Sequence, residues 1–208
     1  MGKRSGMTSR ARRLITYAVI VAIGFGVGIT TGWLRWKRPT INYKIQQRSL
    51  LIREHAEQMP AGGTLMIGDS IVERQRLGDV CGPTLNAGIS GATSADLQSL
   101  VPDLVRIAKP ARIVLNIGTN DVSQGIPGEV LQGNVERMIA VMQGATVLVI
   151  GVPGGQVDAL LKVAALRHHA RFIAYPVTDP ADTLDGLHLN AAGAAKWQAA
   201  IRSVLLCP

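Results

Sequence analysis

Residues 1–48 contain no acidic side chain: ten of the 22 Lys/Arg lie there and none of the 14 Asp/Glu. The rest of the 208-residue chain is slightly acidic, with 12 basic groups against 14 acidic ones. The overall charge of +8 therefore belongs to the N-terminal segment. A nucleic-acid-binding domain would carry such charge on its fold, so nucleic acid is not expected as a partner. Cysteine is nearly missing, with only Cys81 and Cys207, and the four histidines show no ligand spacing with Cys, Asp or Glu. No metal or other cofactor is expected. His168 and His169 read as cations complementing a helix C-terminus. Aromatic residues make up 4% of the chain, and there is no internal repeat or low-complexity tract.

One absence has a direct structural meaning. Leu14 to Leu34 is twenty-one residues without a charge, which is the length of a membrane span and longer than the apolar core of a secretory signal. The glycines of Gly24-Phe-Gly26-Val-Gly28 mimic a dinucleotide fingerprint, but they lie inside this apolar run with no strand before them. Four segments are expected: a basic leader at 1–13, a transmembrane anchor at 14–34, a polar connector at 35–62 that reads as helical from Pro39 to Met59, and a catalytic domain at 63–208. Five basic residues precede the span, and three follow it closely (Arg35, Lys37, Arg38). That bias orients a single-pass protein of a bacterial inner membrane with the domain in the periplasm or outside the cell. In such an oxidising place Cys81 and Cys207 could pair, closing a loop of about 127 residues. Two separate buried thiols fit the sequence equally well.

From Thr64 onward short apolar runs alternate with helix-length amphipathic ones. Strands are expected near 64–68, 84–87, 111–117, 145–151 and 171–175, with helices near 94–107, 128–143, 156–169 and 190–206. This alternation predicts an α/β fold, a parallel five-stranded sheet covered on both faces as in flavodoxin-like three-layer sandwiches.

Of four short blocks, three fall at the ends of these strands and the fourth precedes the last helix. They are Gly68-Asp-Ser70, Asn86-Ala-Gly88-Ile-Ser-Gly91, Gly118-Thr-Asn120-Asp121 and Asp185-Gly-Leu-His188. In this order they resemble the signature blocks of the SGNH (GDSL-type) hydrolases. The longer strings Asn86 to Leu97 and Asp185 to Gly193 look most like the branch of platelet-activating-factor acetylhydrolase-type esterases. The likeness covers roughly Leu65 to Trp197, and it implies the strand order 2-1-3-4-5.

Serine is a weak nucleophile at its own pKa, so Ser70 needs a base, and the base needs a group to hold its tautomer. His188 and Asp185, three apart, can share one turn and supply both. The resemblance assigns three donors to the developing oxyanion: the N–H groups of Ser70 and Gly88 and the side-chain amide of Asn120. Asp69 and Asp121 read as loop organisers, and Asn190 as the N-cap of the last helix. The expected activity is hydrolysis of small, acetyl-like esters through an acyl-enzyme. Alternatives are acyl transfer to a glycan, a lysophospholipase or a thioesterase. The segments after the strands are short and free of aromatics, so an open, shallow site without a sugar-stacking platform is expected.

Overall fold

The computed structural model describes residues 39–78, 80–205 and 207. The leader, the apolar span Leu14–Leu34 and the first residues of the connector lie outside the described residues. Among the described residues no helix is long and apolar enough to cross a membrane. The chain divides into two units, Met1–Lys44 and Ile45–Pro208. Of the first, only the opening residues of helix α1 (Pro39–Gln58) are described.

The second unit is built on five parallel strands: β1 (Thr64–Gly68), β2 (Thr84–Gly88), β3 (Arg112–Asn116), β4 (Thr146–Ile150) and β5 (Arg171–Ile173). Their order is β2-β1-β3-β4-β5, as the resemblance implied. Register aligns Gly68 with Gly88 on one side and with Asn116 on the other, so three of the four blocks leave the sheet at one level. Side chains alternate between faces. Leu65, Ile67, Ile113, Leu115, Val147 and Val149 point into one core. That core is covered by α1, α3 (Ser94–Gln98), α4 (Val101–Ala108), α6 (Gly128–Ala140) and α7 (Asp158–Arg167). Met66, Val114, Leu148 and Ile150 face the other core, under the short α2 (Ser70–Glu73) and the closing α8 (Ala191–Leu205), where Trp197 is fully buried.

The connector helix α1 packs onto the domain, with Ile52 and Ala56 buried in the first core. Three details depart from the sequence reading. The helix expected over 94–107 is two, α3 and α4, with Pro102 in the first turn of the second, where its missing N–H costs nothing. Strand β5 stops at Ile173 rather than 175, and a further short helix, α5 (Thr119–Ser123), follows β3. Cys81 and Cys207 form a disulfide with Cα atoms 5.2 Å apart, tying the end of the chain to the β1–β2 connection across 126 residues.

Candidate active site

Ser70 owes its position to two neighbours in sequence. At Gly68 a Cβ would lie 2.3 Å from the Asn116 carbonyl, so only glycine lets β1 end this close to β3. Asp69 then caps α2 by accepting the Ile71 N–H at 2.9 Å on Oδ1. Ser70 becomes the first residue of that helix, and its N–H belongs to the donors that a helix start leaves without an internal partner. The Asp69 carboxyl is 1% exposed, and burial pushes it up to about 6 against the pull of the Ile71 N–H.

Opposite Ser70 stands the loop that leads into α8. His188 Nε2 lies 3.0 Å from Ser70 Oγ, and His188 Nδ1 lies 2.6 Å from Asp185 Oδ2. The other carboxylate oxygen of Asp185 accepts the His188 N–H at 2.8 Å and the Leu187 N–H at 3.1 Å. These bonds, led by the His188 N–H, hold the Asp185 carboxyl down at about 2. The His188 ring is therefore oriented by a charged group that is itself fixed by the backbone of its own turn. Gly186 provides the positive φ of 84° that this turn requires. The loop is anchored at its far end by Asn190. Its Oδ1 accepts the N–H groups of Ala192 and Gly193 at 3.0 and 3.1 Å, and its Nδ2 donates to Ala181 O at 2.7 Å. The expected N-cap is thus the device that fastens the His188 loop to α8.

Asn120 sits in α5, just past Gly118. One hydrogen of its amide goes to Ala92 O at 2.9 Å, which orients the group, and the second has no acceptor among the described residues. Asp121, next to it, is 1% exposed and accepts from the Ser94 N–H at 2.9 Å and the Ser94 Oγ at 2.6 Å. Ser94 Oγ accepts in turn from Asn134 Nδ2 at 2.8 Å, so Asp121 joins three segments, as its reading as a loop organiser anticipated.

The structure differs at Gly88. Its N–H already donates to Asn86 Oδ1 at 2.9 Å, so it is not free to meet an oxyanion. The absence of a Cβ serves packing instead, since one there would lie 2.2 Å from the Glu73 nitrogen in α2. The open donor in this block is three residues on. Gly91, with φ of 80° and no atom within 4 Å of where a Cβ would be, stands on the turn that Asn120 holds through Ala92. Its N–H has no hydrogen-bond acceptor among the described residues. The signal available in the sequence was the second glycine of Asn86-Ala-Gly88-Ile-Ser-Gly91.

Beyond the Asp185 loop lies a cavity of about 430 Å³, with Gly186 and Leu187 on one wall and Val152, Pro153 and Tyr175 on others. Tyr175, which leaves the sheet beyond β5, puts an aromatic on the wall of this cavity, so the segment after that strand is not free of aromatics as the sequence suggested. Among the described residues no group of three or more His, Cys, Asp or Glu side chains could hold a metal ion.

A serine, a histidine and a carboxylate in hydrogen-bond sequence at the carboxyl edge of a flavodoxin-like sheet define a serine hydrolase constellation. Residues 66–196 match the model of the GDSL-like lipase/acylhydrolase family, and the chain belongs to that family. It is also similar to esterase TesA of Pseudomonas aeruginosa, 40% identical over 70 residues, a match spanning 33% of this chain and 35% of that relative. Among solved structures it resembles a Streptococcus pneumonia protein provisionally named platelet activating factor, with TM-score 0.65, 20% identity, and 88% and 99% of the two chains covered. Another is Est24, a carbohydrate acetylesterase from Sinorhizobium meliloti, with TM-score 0.57, 19% identity, and 70% and 98% covered. At these identities the structural likenesses establish the fold.

Proposed function

We propose that this protein is a serine esterase that hydrolyses small acyl esters, and that Ser70, His188 and Asp185 carry the reaction. The observation behind this reading is the unbroken chain of contacts from Ser70 Oγ through His188 to Asp185, at 3.0 and 2.6 Å. Ser70 Oγ attacks the ester carbonyl while its proton passes to His188 Nε2. The imidazolium is stabilised by Asp185, which is ionised down to about pH 2. Negative charge on the carbonyl oxygen meets the Ser70 N–H, the free hydrogen of the Asn120 amide and the Gly91 N–H, the last taking the place first assigned to Gly88. Collapse expels the alcohol, which takes the proton from His188 and leaves an acyl-Ser70. A water molecule then gives a proton to His188 and attacks the acyl carbon, and the bond to Ser70 Oγ breaks as His188 returns that proton to Oγ, releasing the acid.

Acyl transfer to a glycan, lysophospholipid cleavage and thioester cleavage would use the same acyl-enzyme and differ in the acceptor or the leaving group. A series of p-nitrophenyl esters of rising acyl length separates the small-acyl reading from a lipase-like one. kcat/KM should be greatest for acetyl or propionyl and fall with length, and an optimum at eight carbons or more would contradict it. Adding a sugar acceptor should not divert acyl groups from water.

We further place the domain on the periplasmic or outer side of a bacterial inner membrane, held by Leu14–Leu34. The Cys81–Cys207 disulfide supports an oxidising compartment. Protease admitted to the periplasm should digest the domain, and full protection would refute this topology.

A further inference from the structure

Arg48 belongs to α1, outside all four signature blocks, yet its side chain reaches the end of β2 that leads into the turn carrying Gly91. Among the described residues β2 is the edge strand of the sheet and pairs with β1 alone, so its outward carbonyls meet no neighbouring strand there. Arg48 takes two of them, Nε donating to Gly88 O at 3.1 Å and Nη2 to Asn86 O at 3.3 Å. The same guanidinium lies 3.6 Å from Glu73 Oε1. The second carboxylate oxygen of Glu73 accepts the Ser90 N–H at 2.5 Å. Glu73 is the last residue of the helix that begins with Ser70.

One ion pair therefore joins three things: the end of β2, the N–H that precedes Gly91 in the turn, and the nucleophile helix. We propose that Arg48 and Glu73 are a positioning pair that fixes the Gly91 N–H relative to Ser70. This inference rests on the esterase reading above, in which Gly91 faces the oxyanion. The turn needs such a fastening. Gly91 packs against nothing on its side-chain face, and otherwise the turn is held by the Ile89 N–H to Gly68 O at 3.0 Å, the Ala92 N–H to Ile89 O at 3.1 Å, and Asn120. None of these bonds touches Ser90 or Gly91. Glu73 supplies that bond, and Arg48 holds the strand end through two donors of its planar fork, which a point charge cannot match, while its charge lies 3.6 Å from Glu73. The simpler alternative is that Arg48 only covers a sheet edge and docks α1.

Kinetics on the full chain separate the two. Arg48→Ala should lower kcat for p-nitrophenyl acetate about tenfold or more with KM within about twofold, the pattern of a group misaligned in the transition state alone. Arg48→Lys should fall between the two, and millimolar methylguanidinium should restore part of the Arg48→Ala loss. Edge cover alone predicts a lowered melting temperature with normal kcat in the folded fraction and no rescue, which would overturn the proposal. If Arg48→Ala fails to fold, Arg48→Lys decides, since a wild-type kcat there would be equally fatal. Ser70→Ala, measured in parallel, should abolish turnover. If it does not, the esterase reading itself falls, whatever Arg48 does.

Discussion

Truncation of Asn120 separates catalysis from structure, because in the proposed mechanism its amide serves both and the two contributions differ in size. One hydrogen ties α5 to the turn through Ala92 O at 2.9 Å. Losing that neutral bond should cost about 1 kcal/mol of stability, which in a domain of this length lowers the melting temperature by about 2–4 °C. The other hydrogen is aimed, in our reading, at a charge that exists only during the reaction. Losing such a donor should cost about 10²- to 10³-fold in kcat, or roughly 3–4 kcal/mol of barrier, with KM little changed. Asn120→Ala should therefore be a folded, slightly less stable and very slow esterase. Thermal unfolding and steady-state hydrolysis of p-nitrophenyl acetate on one preparation give both numbers. A melting temperature lowered by the same few degrees with a normal kcat would show that Asn120 is only a loop tie, and the oxyanion assignment would fail.

Two further outcomes concern the fold beneath the site. Burial holds Asp69 at about 6 against 3.8 for the free group, so between these values the folded chain keeps a proton that the unfolded chain has lost. Stability from this group therefore falls as pH rises through that window. Asp69→Asn keeps an oxygen for the Ile71 N–H and removes the titration. It should match the wild type near pH 4 and exceed it at pH 8 by up to about 3 kcal/mol in denaturant melts. Equal destabilisation at both pH values would contradict this. The Cys81–Cys207 disulfide closes a long loop, so Cys81→Ser with Cys207→Ser should lower unfolding free energy by up to about 4–5 kcal/mol in the chain-entropy model. No change in the denaturation midpoint on reduction would mean that the bridge constrains little.

The parts of this molecule that sequence could reveal are those encoded by neighbours in the chain. Ser70, Asn120 and the Asp185–His188 pair each follow a strand or precede a helix in a short block, and the alternation of apolar runs placed all five strands. Boundaries failed where a local device intervened: Pro102 opens a new helix inside what reads as one amphipathic run, and Ala174 and Tyr175 leave the sheet although they look like strand. Gly88 and Gly91 could not be told apart, because both are glycines in one block. What separates them is the Asn86 side chain, which accepts the Gly88 N–H two residues on while its Nδ2 is held by the distant Val72 and Gln75 carbonyls. Arg48 was invisible for the same reason. Its partners are backbone carbonyls 38 and 40 residues away, and a carbonyl leaves no mark in a sequence. The cysteine pairing also awaited a distance, which is 5.2 Å between Cα atoms.

The central claim is that Ser70 is the nucleophile and that His188 activates it. Intact-mass and peptide mapping after treatment with a fluorophosphonate test it most directly, since the probe reacts with an activated serine and leaves a covalent mark. The account predicts one adduct per chain, on the peptide carrying Ser70, absent in Ser70→Ala and formed far more slowly in His188→Ala. An adduct on another residue, or labelling that persists at the wild-type rate in Ser70→Ala, would contradict it.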